Sequence, residues 1–73
     1  MKKTPDEVQA LQRLGSAVAS MRRERNLTQE QLAALAFLTQ PAISRLERTG
    51  VCTSLTLIRV ANALKVAPMR LVV

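Results

Sequence analysis

Histidine, tryptophan and tyrosine are absent from this 73-residue chain, and Phe37 is its only aromatic residue. Any packed core must therefore be aliphatic. With no histidine and with Cys52 as the single cysteine, the chain can form neither an internal disulfide nor a Cys/His metal cluster. It also lacks the usual general base and shows no convincing nucleophile–base arrangement, so an enzyme is not expected. Cys52 reads as a small apolar loop or core residue, and Met1, Met21 and Met69 as the initiator and packing groups rather than a cofactor box. No cofactor is expected. Gly15 and Gly50 are the only glycines, which leaves no glycine-rich phosphate loop.

Acidic residues are scarce as well. Five Asp and Glu stand against 11 Lys and Arg, a net charge of +6. That balance places a polyanion first among partners and an anionic membrane surface second. No run approaches the roughly 20 apolar residues of a membrane span, and the opening Met1-to-Val8 segment lacks a hydrophobic signal region, so a cytoplasmic, soluble protein with no membrane partner is expected. The length suits one domain over residues 1–73, near the lower limit for a self-sufficient core, which invites a partner subunit.

Helical periodicity carries most of the information. Val8, Leu11, Leu14, Val18 and Met21 recur every three or four residues, predicting one helix from about Asp6 to about Arg25 with these side chains on its inner face. Thr4 is its cap, Pro5 suits the first helical position, and Asp6 and Glu7 complement the helix dipole. Thr28 with Gln31 forms a capping-box pattern opening a second, short helix that ends near Ala36 or Phe37. Thr39 caps a third, with Pro41 in its first turn, Ile43 and Leu46 facing inward, and an end near Arg48 before the break at Thr49-Gly50. A fourth helix, capped by Thr53 or Ser54, turns Leu57, Val60, Ala61 and Leu64 inward before Pro68 interrupts it.

Met69 to Val73 admit two conformations, a short fifth helix opened by Pro68 or a β-strand favoured by the valines. The strand is preferred. Since a lone strand is unstable, it would pair with a two-fold mate, placing a dimer interface over about residues 64–73 with Leu64, Val66, Met69, Leu71, Val72 and Val73; the alternative is a frayed tail.

Thr28 to Ala33, a turn of three or four residues, and Thr39 to Arg48 together spell helix, turn, helix. From about Val18 to Leu64 the chain resembles the helix-turn-helix domains of the Cro and lambda-repressor, or XRE, type. Leu27-Thr28-Gln29-Glu30-Gln31-Leu32-Ala33 and Ile43-Ser44-Arg45-Leu46-Glu47-Arg48 are similar to the two most diagnostic blocks of that family. The resemblance implies an all-α, four-to-five-helix lambda-repressor-like domain, allowing for a short C-terminal strand across a homodimer. It also implies a sequence-specific transcriptional regulator of double-stranded operator DNA.

Physical chemistry agrees with that implication. The second helix of such a pair enters the major groove and its N-terminal side chains reach base edges. Gln40 can bond adenine, Arg45 guanine, Ser44 a base edge or phosphate, and Pro41 makes only apolar contact, as with a thymine methyl. Gln29 is a phosphate anchor through its amide and the nearby backbone N–H groups. Thr28, Thr39, Arg23, Arg25 and Arg48 are further phosphate candidates, and Arg59 is another. For each charged residue the bland alternative is a solvated surface group, Arg45 pairing instead with Glu47 or a neighbour. From the family resemblance alone comes a salt bridge between Arg22 and Glu47, tying the first helix to the end of the third.

The chain departs from the family at three places. Phe37 stands where a turn glycine is usual, so the turn must avoid or tolerate a left-handed residue. Pro41 removes one base-reading hydrogen bond, and the loop through Cys52 is short. Within the family, Thr4-Pro5, Thr53-Ser54-Leu55-Thr56 and the short end resemble the HipB-type antitoxins. This implies a homodimeric, autoregulating repressor that also holds a toxin protein. A phage-type or restriction-controller repressor is the competitor. A different class, a protein-interaction module that neutralises a toxin with DNA binding secondary, is the alternative function.

Overall fold

The computed structural model describes residues 3–71. Their order is α1 (Pro5–Glu24), α2 (Gln29–Leu35), α3 (Gln40–Thr49), α4 (Ser54–Leu64) and a single 3-10 turn (Pro68–Arg70). The four α-helices start by one local chemistry. Thr4, Thr28, Thr39 and Thr53 each stand in extended backbone, and each hydroxyl oxygen accepts the N–H three residues on. In α1 and α2 the third helical residue answers, Glu7 and Gln31 accepting the N–H of Thr4 and Thr28. Both are complete capping boxes that satisfy otherwise orphaned donors.

Helix ends are equally regular, though not through glycine. Leu27, Leu38 and Val66 each donate an N–H to the carbonyl five residues back, and Asn26, Phe37 and Lys65 each donate to the carbonyl three back. These are Schellman closures, and their pivot residues have left-handed φ of 56°, 58° and 61°. The motif normally favours glycine at the pivot and an apolar residue after it. Here the apolar followers are present and hold the turns, while the pivots accept the steric cost. Only α3 ends on glycine, Gly50, at φ 73°.

The core is wholly aliphatic: Leu14, Val18, Leu32, Ala33, Ala36, Ile43, Leu46, Val60, Ala61, Leu64 and Leu71. It takes one stripe from each helix, which is what the three-and-four spacing requires. Val8 departs from that stripe and is exposed; it borders an open groove shared with Leu11, Arg48, Thr49 and Val51. Phe37 is 84% exposed; its left-handed backbone directs the ring away from the core instead of over it.

The C-terminal segment corrects the expected strand. Among the described residues there is none; Pro68 to Arg70 form the 3-10 turn and Leu71 is buried in the chain's own core. Pro68 pre-sets the φ of a helical turn, and that turn swings Leu71 back against α4. Leu64 and Leu71, expected from the sequence at a dimer interface, are thus buried within the chain's own core, and Val66 packs partly against it. Met69, expected as a packing group, is 74% exposed. Val72 and Val73 lie outside the described residues.

Candidate nucleic-acid interface

Burial of Ile43 and Leu46 fixes the rotation of α3. Residues 40, 41, 44 and 45 then fall on the opposite side of a 3.6-residue turn. Pro41 and Arg45 are exposed, and Gln40 and Ser44 are partly so. Pro41 occupies the first turn of α3, where its missing N–H removes no helical bond. Arg45 is not the partner of Glu47. Two residues apart on a helix the side chains point to different faces, and no acceptor engages the Arg45 guanidinium among the described residues.

Glu47 belongs instead to a bidentate pair with Arg22. Arg22 Nε donates to Glu47 Oε2 at 2.7 Å and Nη2 to Oε1 at 3.0 Å, while Nη1 donates to the Leu27 carbonyl at 2.8 Å. The two side chains are 11% and 7% exposed. Arg22 thereby binds three segments, α1, the chain entering α2, and the second half of α3. Burial by itself would raise the Glu47 carboxyl. Hydrogen bonds from Arg22 and Gln29, with the nearby charges of Arg22 and Arg23, outweigh it and hold the carboxyl below its ordinary value of 4.5. Donation to Glu47 likewise holds the Arg22 guanidinium above its usual value, against desolvation.

The sign of the pH dependence follows. A carboxyl depressed by folding contributes stability that is complete above its unfolded value and is lost as pH falls through the folded one. The thermal midpoint should therefore fall on acidification through and below pH 4.5, and Glu47→Gln should flatten that slope in a calorimetric series. An acid slope identical in the variant would place its origin elsewhere.

Beyond Glu47 the network continues in one direction. Gln29 Nε2 donates to Glu47 Oε1 at 3.0 Å, and Gln40 Nε2 donates to Gln29 Oε1 at 2.7 Å. Two shallow depressions meet at Gln29. One is lined by Arg23, Gln29, Ser44, Glu47 and Arg48 among others, its neighbour by Arg22, Thr28, Gln29, Glu30 and Gln40. The structure thus gathers Arg23, Arg48, Thr28 and Gln29 around the outer face of α3. Thr28 and Thr39 each accept one capping N–H at the hydroxyl oxygen, which leaves the hydroxyl proton able to donate to an anion. Arg25 donates one N–H to the Met21 carbonyl at 2.9 Å and is otherwise exposed. Arg59 is exposed on α4, outside both depressions. Cys52 is half-buried, and burial pushes its thiol up, away from reactivity.

Gly15 is the residue whose importance the sequence does not announce. A Cβ there would lie 2.5 Å from the Glu47 carbonyl oxygen and 2.7 Å from that of Leu46. The backbones of α1 and α3 cross at this point, two turns of α1 from Arg22. A glycine inside a long, otherwise good helix was the available signal, since it costs about 1 kcal/mol relative to alanine unless something needs the space.

A profile for a family described as a helix-turn-helix domain matches residues 1–72. The chain belongs to that family. Among solved structures it is similar to the restriction-modification controller protein C.AhdI from Aeromonas hydrophila, with a TM-score of 0.80 and 27% identity. That likeness covers 84% of this chain and 94% of the controller. No curated protein sequence matches. The all-helical domain is therefore an XRE-type helix-turn-helix protein, and its class of function is DNA-binding transcriptional regulation. Among the described residues no helix is long and apolar enough to cross a membrane.

Proposed function

We propose that this protein is a homodimeric, sequence-specific repressor that sets the first turns of α3 into the major groove at each half of a palindromic operator. The observation that carries this reading is the outer face of α3. It presents Gln40, Pro41, Ser44 and Arg45 to solvent while Arg22 and Glu47 clamp the helix from behind. A major groove about 12 Å wide admits such a helix, and amide and guanidinium groups match adenine and guanine edges. Gln29, Thr28, Thr39, Arg23, Arg25 and Arg48 serve as phosphate contacts. They set register and give binding its steep dependence on salt.

Exposed Leu55 and Ile58, three residues apart on α4, together with Met69, support a two-fold contact in place of the occupied Leu64 and Leu71. Such a dimer would read half-sites about 34 Å apart. Repression would be steric, by occlusion of promoter DNA. Similarity to a restriction-modification controller protein supports regulation as the role. An antitoxin role rests on Thr4-Pro5, Thr53 to Thr56 and the short Met69-to-Val73 end, but helix capping alone accounts for Thr4, Thr53 and Thr56 here.

Selection of bound sequences from random duplex DNA, followed by binding of Gln40→Ala with Arg45→Ala, tests the reading. A palindrome should emerge, and the double variant should bind it about 10- to 1,000-fold less tightly while retaining salt-dependent nonspecific binding. Unchanged operator affinity would overturn the assignment of α3 as the reading helix. Failure to recover any sequence would transfer the lead to the protein-interaction module, with a toxin as the partner to seek.

A further inference from the structure

We infer that Glu47 dictates which way round the amide of Gln40 faces the DNA, through Gln29, and is thereby a positioning residue for base discrimination. The inference rests on the reading of Gln40 as a base contact. Its physical content is the direction of a hydrogen-bond chain. An ionised carboxylate has acceptors only, and the two Glu47 oxygens accept from Arg22 and from Gln29 Nε2. Gln29 can consequently face Glu47 only with its NH2 group, which turns its carbonyl toward Gln40. That carbonyl also only accepts, so Gln40 must offer its own Nε2, as it does at 2.7 Å. Reversing either amide alone would bring oxygen against oxygen or N–H against N–H.

Gln40 is left with one N–H and both lone pairs of Oε1, in a fixed order. Adenine presents N7, an acceptor, beside N6, a donor, and an amide satisfies both in one order only. Guanine presents two acceptors, N7 and O6, so the fixed Oε1 meets an oxygen. An amide released from Gln29, or bonded to it through Oε1, has both N–H groups free for N7 and O6 and would reject guanine far less. The anchoring of Glu47 by Arg22 keeps the start of the chain ionised and in place, which makes a pair remote from the bases part of their discrimination.

The experiment measures affinity of the full chain for duplexes differing at one base pair. The position lost in Gln40→Ala is identified first from selected sequences, and the adenine-to-guanine affinity ratio is then measured there. Gln29→Met leaves the Arg22–Glu47 pair intact but severs the chain, whereas Glu47→Gln lets the chain run either way. In both, the ratio should fall about fivefold or more from wild type. A lost phosphate contact or a mild loss of stability weakens both duplexes alike and leaves the ratio unmoved. A ratio within about twofold of wild type in Gln29→Met, with Gln40→Ala removing the preference, would overturn the relay while sparing Gln40 as the reader. A wild-type preference for guanine at that position would also overturn it. If Gln40→Ala changes no position, the base-contact reading itself fails, and the relay with it.

Discussion

Gly15→Ala should lower the thermal midpoint by about 12–24 °C, although alanine is the better helix former by roughly 1 kcal/mol in isolation. The added methyl would meet the carbonyl oxygens of Glu47 and Leu46 at 2.5 and 2.7 Å. Both are backbone atoms of α3, so no rotamer change can make room. The helices must separate by about 1 Å to restore ordinary contact near 3.5 Å. That separation loosens Leu14 and Val18 against Ile43 and Leu46, at a cost on the order of 3 kcal/mol. Against a total stability on the order of 5 kcal/mol for so short a chain, much of the population would be unfolded on modest heating. Circular dichroism at 222 nm against temperature decides the matter. A midpoint equal to wild type or higher would mean that the crossing is looser than described.

Glu47→Ala should approach the same size by a different route. It leaves the Arg22 guanidinium at the seam between α1 and α3 with only the Leu27 carbonyl, and it removes the acceptor that Gln29 faces. Breaking one side of a buried pair costs about 3–5 kcal/mol, and the small residual exposure of these side chains favours the lower figure. The informative companion is Arg22→Met with Glu47→Leu. Apolar replacement of both partners removes the uncompensated charge, so stability should recover to within about 1 kcal/mol of wild type. Base discrimination should not recover, because the direction of the amide chain is gone. A double variant as unstable as Glu47→Ala alone would indicate packing damage, not an orphaned charge. Urea unfolding of the three proteins at pH 7 separates the two outcomes.

These two sites illustrate what can be seen in a linear sequence. The caps at Thr4, Thr28, Thr39 and Thr53 are visible because each bond spans three residues. The inner stripes of α3 and α4 are visible for the same reason, through a period of 3.6. The outer face of α3 then follows by exclusion: once Ile43 and Leu46 are buried, Gln40, Ser44 and Arg45 have one side left to occupy. Phe37 was legible only as a departure. Its left-handed backbone is fixed by the bonds of Phe37 and Leu38 to Ala34 and Ala33, while the side chain, having no core cavity to enter, stands in solvent.

The C-terminal segment misleads for a physical reason. Valine favours strands as a half-buried side chain on a pleated surface, and a strand would have required a second molecule. A single turn at Pro68 satisfies Leu71 within its own chain. Propensity measures what a residue suits and cannot register whether its own core has a place for it.

The four helices and their caps are legible in the linear chain because each depends on residues within about five positions of one another, and the aliphatic core follows from the near absence of aromatic residues. Three features come only from packing: the crossing of α1 and α3 at Gly15, the burial of Leu71, and the continuation of the Arg22–Glu47 pair, itself implied by the family resemblance, through Gln29 to Gln40. Those bonds join residues 25, 18 and 11 positions apart. Their existence depends on the distance and rotation between helices, which packing sets and no local period encodes.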